Sequence, residues 1–200
     1  DGMKESHRKI LYGIFLKNSK DSIKVAQLAG FVAEKTNYHH GEQNLFETIT
    51  KLAQDFVGSN NIPYLQKDGQ FGTRLLGGKD AANARYIFTK LSKITRILFP
   101  KCDDNLLDYV YDEGAKVEPK YYLPIIPTIL VNGCKAGIGT GWSTSIPSYN
   151  PKDLINYIIS YLNDSDLPSF DPWYKGFNGT IKKTNKFTYE SEGIYTRNDK

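Results

Sequence analysis

The sequence predicts an α+β fold, in which a helical first part is followed by short extended segments. Three observations predict it. Apolar residues recur at helical spacing over residues 3–17, 24–35 and 42–56. Residues 57–78 are instead rich in Gly, Asn and Pro and carry short apolar pieces, which is typical of strands and turns. Residues 122–133 form an apolar, β-branched run interrupted by prolines, which fits extended chain.

The link between the second and third helices and the segment after the third helix together predict a winged helix. The second and third helices are connected by a short polar link at 36–41, which is typical of a helix-turn-helix. After the third helix, Lys67-Asp68-Gly69-Gln70 is a turn signal between apolar pieces at 62–65 and Phe71, and it predicts a two-stranded ribbon. A helix-turn-helix followed by such a ribbon is the pattern of a winged helix.

Later elements are predicted from their boundaries. A helix fits 90–99 and is ended by Pro100. The Gly-rich stretch 137–141 predicts a tight loop. Asn150 is placed to cap a further helix that has Pro151 at its first position. The last 35 residues, through Trp173 and Phe177, are predicted to be the start of a β-rich domain.

Composition limits the classes of function. The net charge of +4 over 200 residues permits nucleic-acid binding without demanding it. No apolar run approaches the roughly 18 residues that span a membrane, so we expect no membrane partner. The two Cys have no metal-ligand spacing, and no metal site is expected. Because the chain starts with Asp-Gly-Met-Lys, we interpret it as a piece of a longer polypeptide.

The most informative stretch for chemistry is the run of small residues at 77–84, which ends in Arg85-Tyr86. Small residues let another backbone, such as a phosphate chain, approach closely. A phenol with a pKa of about 10 is a poor nucleophile unless cations stabilise its ionised form, and an adjacent guanidinium does so. Taken alone, the simpler interpretation is a buried core tyrosine beside a surface arginine.

Several motifs together resemble eukaryotic topoisomerase II, a type IIA DNA topoisomerase. The resemblance covers about 1–181 and favours the eukaryotic or viral branch over the bacterial gyrase subunit. The motifs are Tyr38-His-His-Gly-Glu-Gln43, Phe56-Val-Gly-Ser-Asn-Asn-Ile62, Phe71-Gly-Thr-Arg74, Gly77-Gly-Lys-Asp-Ala-Ala-Asn-Ala-Arg-Tyr86, Val131-Asn-Gly133, Gly137-Ile-Gly-Thr-Gly-Trp-Ser-Thr144, and Pro172-Trp173 with Gly179-Thr180.

The resemblance implies a catalytic set. The phenolic oxygen of Tyr86 would attack a DNA phosphate, forming a phosphotyrosine diester and a free 3′ hydroxyl. Arg85 would stabilise charge on the phosphate. His40 would serve either in proton transfer or in phosphate contact. For His39, both a DNA contact and a structural role in the turn stay open.

The resemblance also implies DNA contacts. Lys4 and Arg8, one helical turn apart, would form a basic ridge; taken alone, a solvated helix face is the simpler interpretation of these two residues. Arg74 and Lys79 are further phosphate contacts. Ile138 would wedge between bases and bend the DNA; the alternative is a tight turn with a packed Ile.

The predicted organisation has two domains. Residues 1–105 form the winged-helix breakage-reunion domain, and 106–200 the first part of the family's tower domain, carrying the DNA-bending loop. Mg²⁺ and ATP are expected on domains outside this chain, which shows no nucleotide motif. The predicted partners are double-stranded DNA and, in the full-length protein, a second copy. The predicted location is the nucleus, or the host cytoplasm, host nucleus or virion for a viral source. The alternative function is a non-enzymatic winged-helix DNA-binding protein.

Overall fold

Helices and short antiparallel strands are mixed along the whole chain, which confirms the predicted α+β class. The computed structural model describes residues 1–186 and 188–197, except for the side chain of Ala136. The helices are α1 (Glu5–Lys17), α2 (Val25–Thr36), α3 (Glu42–Ala53), α4 (Thr95–Leu98), α5 (Thr128–Asn132) and α6 (Pro151–Leu162), with a 3₁₀ helix at Lys101–Asn105. The strands are β1 (Ile23–Lys24), β2 (Leu65–Asp68), β3 (Phe88–Leu91), β4 (Tyr109–Asp112), β5 (Ala115–Pro119), β6 (Cys134–Gly139), β7 (Trp142–Ile146), β8 (Thr180–Lys183) and β9 (Tyr189–Glu192).

The first three helices pack on one another and on a small antiparallel sheet with the strand order β1-β3-β2. Their apolar faces supply much of the main core, because residues three or four apart share one face of a helix. The order α1, β1, α2, α3, β2, β3 is compatible with the predicted winged helix, which remains our interpretation. The fully buried apolar members from these helices are Ile10, Leu11, Val25, Leu28, Ala29, Val32, Leu45 and Ile49.

The predicted ribbon between 62–65 and Phe71 is wrong. Lys67 and Asp68, assigned to a turn, lie within β2, and the partner strand is β3. Phe71 is instead a fully buried core residue. The predicted helix over 90–99 is therefore shortened to the single turn α4, since its first residues belong to β3.

The extended chain predicted over 122–133 is also wrong for its last part, where α5 forms after Pro127. Long-range hydrogen bonds hold this helix in place. The Asn132 side chain accepts from the backbone N–H of Ile62 at 2.9 Å and donates to the Ile62 carbonyl at 2.9 Å. Such contacts outweigh the β preference of the Ile-Leu-Val sequence.

Helix α6 begins as predicted. The side chain of Asn150 accepts a hydrogen bond from the Lys152 N–H at 3.0 Å, and Pro151 occupies the first position. Leu154 is buried, whereas Ile159 and Leu162 on the same helix are exposed. Among the described residues, no helix is both long enough and apolar enough to cross a membrane.

A buried ion pair ties β5 to the helices. The Lys9 Nζ of α1 lies 2.9 Å from Glu118 Oε2 and 2.8 Å from the Thr36 carbonyl oxygen at the end of α2. The Lys9 and Glu118 side chains are only 6% and 4% exposed. Lys9 Nζ also lies 3.5 Å from the Glu5 carboxylate, which is mostly exposed, so Glu118 is its one buried carboxylate partner among the described residues.

We expect Glu118→Gln to lower the free energy of unfolding by about 3 kcal/mol, because it leaves the Lys9 ammonium buried without its closest carboxylate. Urea unfolding of the chain measures the change. The matched control is Glu34→Gln, which removes an exposed pair with Lys35 and is expected to cost less than about 1 kcal/mol. Equal effects of the two substitutions would contradict the assignment of a buried pair.

Candidate functional site

Tyr86 lies in a turn that is fixed to the start of α2. The backbone N–H groups of Val25 and Ala26 donate to the carbonyls of Ile87 at 3.0 Å and Ala84 at 3.1 Å. Ala84 and Ile87 are buried, whereas Tyr86 between them is 74% exposed. The interpretation of Tyr86 as a core tyrosine is therefore wrong. Its hydroxyl is presented to solvent on a turn whose neighbours are anchored in the core.

Arg85 is exposed on the same turn. Its backbone N–H donates to the Asn83 side chain at 3.0 Å, and the Tyr86 N–H donates to the Asn83 carbonyl at 2.9 Å. Asn83 thus closes the turn through both its side chain and its backbone. Within the described part of the chain, the Arg85 guanidinium pairs with no carboxylate, so its charge is available to an anion.

The Gly-rich loop that precedes this turn is tightly built. Gly78 has φ +81°, and a Cβ there would lie 2.3 Å from Gln54 Nε2, so no other residue fits without a shift. Gln54 donates to the carbonyls of Phe71 at 2.9 Å and Gly78 at 3.3 Å. Asp80 accepts from the Thr73 N–H and hydroxyl, both at 2.8 Å, and these bonds hold the pKa of Asp80 below its usual value. These contacts hold the backbone of the loop in one conformation.

Arg74 and Lys79 are both exposed on this loop, on the same β2–β3 connection as Arg85 and Tyr86. Residues 77–79 and 81–84 also form one wall of a cleft of about 620 Å³, whose other wall is α3. Three of the predicted cations therefore share one connection with Tyr86. Such a group of cations suits a surface that binds phosphates.

His39 and His40 are exposed in the turn between α2 and α3. The His40 ring packs edge-on against Tyr38 with centroids 5.4 Å apart. His39 Nε2 lies 3.4 Å from an Asp112 carboxylate oxygen. Among the described residues, neither imidazole hydrogen-bonds to Tyr86 or stacks on it. The structure does not bring the predicted His40–Tyr86 pair into direct contact.

The predicted basic ridge of Lys4 and Arg8 is only half present. Lys4 is exposed just before α1, but the Arg8 side chain is 20% exposed. Arg8 Nη1 donates to the Met3 carbonyl at 2.7 Å and lies 3.5 Å from the Asp1 carboxylate. Asp1 also accepts from the Tyr122 N–H at 2.7 Å. This role of Asp1 in holding Arg8 was not predicted from the sequence.

Ile138 lies near the tip of the β6–β7 hairpin and is 82% exposed, so the interpretation as a packed turn residue is wrong. The predicted loop at 137–141 is mostly strand, with Thr140 and Gly141 as the turn. Trp142, which was not singled out from the sequence, is 84% exposed beside it. An aromatic residue directly after a Gly-containing turn is the signal that could have identified it, because bases stack on aromatic rings.

The hairpin contains a β-bulge. Cys134 pairs with Ile146 and Gly137 with Thr144, so β6 has one residue more than β7 over this interval. Bulged strands absorb an extra residue locally and keep the pairing beyond it. Lys135 next to the bulge donates to the Gly58 carbonyl and ties the hairpin to the loop after α3.

The comparison with known proteins decides the family. The family model for the A subunit of DNA gyrase/topoisomerase IV matches residues 1–200. The chain belongs to this family. DNA topoisomerase 2 of Arabidopsis thaliana is 55% identical over 203 residues, which cover 100% of this chain and 14% of that protein. The Candida albicans DNA topoisomerase 2 is 58% identical over 182 residues, covering 91% of this chain and 12% of its own length.

A solved structure agrees with these relatives. The crystal structure of the Plasmodium falciparum topoisomerase II DNA-binding, cleavage and re-ligation domain matches with a TM-score of 0.96 and 54% identity, over 100% of this chain and 27% of that one. The resemblance to eukaryotic topoisomerase II is confirmed. The chain spans only about one seventh of the curated relatives it matches.

Potential metal ligands do not cluster in the part of this topoisomerase-family chain that the structure describes. These ranges contain no group of three or more His, Cys, Asp or Glu side chains that could hold a metal ion. The described residues thus do not by themselves fit the Mg²⁺ that the family suggests.

Proposed function

We propose that this chain is the DNA breakage-and-reunion part of an ATP-dependent type IIA DNA topoisomerase, and that Tyr86 forms the covalent link to DNA. The observation that supports this most directly is the exposure of Tyr86 and Arg85 on a turn anchored to α2. A tyrosine that serves only in packing would be buried. A surface tyrosine without a function would not need neighbours that are hydrogen-bonded to α2. Membership of the family supplies the reaction class.

In the proposed reaction, the Tyr86 oxygen attacks a backbone phosphorus as the bond to the 3′ oxygen breaks. The tyrosine loses its proton and the leaving oxygen gains one, so the products are a phosphotyrosine diester and a 3′ hydroxyl. Arg85 stabilises the charge that develops on the phosphate oxygens. The phosphodiester bond is exchanged rather than hydrolysed, and resealing therefore needs no ATP.

The remaining predicted residues serve as DNA contacts in this proposal. His40 transfers a proton or contacts a phosphate, and Ile138 at the hairpin tip wedges between bases, for which unstacking costs a few kcal/mol. Arg8 acts through the face that its pairing with Asp1 leaves accessible. The proposed phosphate contacts are Lys4, Arg8, His39, Arg74 and Lys79.

The larger assembly is part of the same proposal. Residues 1–105 form a winged-helix domain, and 106–200 begin the tower domain. Mg²⁺ and ATP are bound by parts of the full-length protein outside this chain. The full-length protein works as a homodimer in the nucleus, or in the host cell or virion if viral, with one Tyr86 on each strand of double-stranded DNA.

Trapping of the DNA-linked protein tests the proposed function against a non-enzymatic winged-helix protein. The full-length protein is incubated with supercoiled plasmid, Mg²⁺ and ATP, and the reaction is stopped with strong denaturant. We expect relaxation and a denaturant-resistant protein–DNA complex. Reversible binding with neither relaxation nor a covalent complex would instead support the non-enzymatic alternative.

The isolated 200-residue chain is expected to behave differently from the full-length protein. We expect it to bind duplex DNA weakly, with an affinity that falls about tenfold or more between about 50 and 200 mM salt, because several cations displace counterions from the phosphates. It should not relax supercoils. Fluorescence anisotropy and a plasmid relaxation assay check the two expectations, and robust relaxation by this chain alone would contradict the second.

A further inference from the structure

The β4–β5 hairpin lies against the turn that carries the two histidines. His39 Nε2 is 3.4 Å from Asp112 Oδ2, and the Asn37 side chain donates to the Asp112 backbone carbonyl at 3.4 Å. Asn37 ends α2 with φ 45°, a left-handed conformation that Asn tolerates well. The end of α2 and the histidine turn thus meet one residue, Asp112, through both its side chain and its backbone.

The hairpin is a firm support for this contact. Glu113 and Gly114, with φ 49° and 79°, form a two-residue turn of the kind that suits the twist of paired strands. On the following strand, Glu118 forms the buried pair with Lys9, which also donates to the Thr36 carbonyl at 2.8 Å. Two separate links therefore join β4–β5 to the C-terminal end of α2 and the turn after it.

We propose that Asp112 is a positioning residue, which acts through His39 to hold this imidazole for a DNA phosphate. The proposal rests on the proposed function. An imidazolium donates through both ring nitrogens. A ring that Asp112 holds through Nε2 keeps its Nδ1–H for a phosphate oxygen. Carboxylates play the same orienting part behind histidines in other sites.

The contact between His39 and Asp112 lies at the surface and leaves the imidazole accessible. The His39 side chain is 71% exposed and that of Asp112 is 35% exposed, so a ligand can reach the ring. At 3.4 Å the contact is long for a hydrogen bond, so it orients the ring weakly rather than locking it. Asp112 belongs to β4, which is paired with β5, so its carboxylate has a fixed position. The His39 ring therefore has fewer accessible orientations than it would have without this contact.

A double-mutant cycle in the full-length protein tests the proposal. Asp112→Ala is expected to lower the rate of covalent complex formation and the affinity for duplex DNA about three- to fivefold, in keeping with an exposed pair. In a His39→Ala background, the same change should have no further effect, because Asp112 acts only through His39. Asp112→Glu should restore at least half of the loss. Asp108→Ala, which removes an exposed carboxylate just before β4 and away from the turn at Glu113 and Gly114, is the matched control and should leave both quantities unchanged.

The outcomes separate the two proposals. If Asp112→Ala has no effect, or the same effect with and without His39, the positioning role is overturned. A loss that Asp112→Glu fails to restore while thermal unfolding shifts downward indicates a structural role and also overturns it. A Tyr86→Phe variant in the same assays reports on the proposed function alone. If covalent complexes are lost in that variant, the assignment of Tyr86 as the nucleophile is supported, independently of the results for the Asp112 variants.

Discussion

Replacing Tyr86 by Phe in the full-length protein is expected to lower covalent complex formation by at least about 10³-fold, because no other group can take over the attack on phosphorus. The ring of Phe occupies the same exposed position, so the fold should be unaffected. The measurement is the yield of DNA-linked protein after denaturant treatment. Affinity for duplex DNA should change little.

Tyr161→Phe is the matched control for this prediction. Tyr161 lies on α6 and is 66% exposed, which is close to the exposure of Tyr86. A general effect of losing an exposed tyrosine hydroxyl would therefore appear in both variants, whereas a specific effect would appear only in Tyr86→Phe. Unchanged complex formation in Tyr86→Phe would contradict the assignment of the nucleophile.

Replacing Arg85 by Ala is expected to slow cleavage about 10²- to 10³-fold, the usual cost of removing one charge-stabilising donor from a reacting centre. DNA affinity should fall far less, since Arg85 is only one of several cations on the β2–β3 connection. Single-turnover cleavage and equilibrium binding measure the two effects separately.

Arg74→Ala provides the contrast for Arg85. Arg74 lies on the same connection but not beside Tyr86, so its removal should weaken DNA binding and reduce its salt dependence, with cleavage of bound DNA nearly unchanged. If both arginines affected only binding, Arg85 would be one more phosphate contact, and the proposed stabilisation of charge in the reaction would be wrong.

The helices of the fold were predictable because their signals are local. Apolar spacing gave α1, α2 and α3 to within a few residues, and the Asn-Pro pair marked the start of α6. Strand β3 was missed because its pairing with β2 joins segments about twenty residues apart in the chain. Helix α5 was missed because side-chain bonds from Asn132 to a distant backbone determine it.

The site was predictable in its residue types but not in its contacts. That Tyr86 is exposed depends on the anchoring of Ala84 and Ile87 to α2, which no local pattern shows. Because Arg8 pairs with Asp1 and is mostly covered, only Lys4 of the expected basic ridge is fully exposed. Asp112 is 73 residues from His39 along the chain, so only the fold brings the two together.

Locating the covalent bond to DNA is the sharpest test of Tyr86 as the nucleophile. The trapped full-length protein is digested with nuclease and protease, and the residue that carries the remaining nucleotide is identified by mass spectrometry. We expect a phosphodiester-linked nucleotide on Tyr86. A nucleotide found on another residue, with Tyr86 unmodified in the trapped complex, would contradict it.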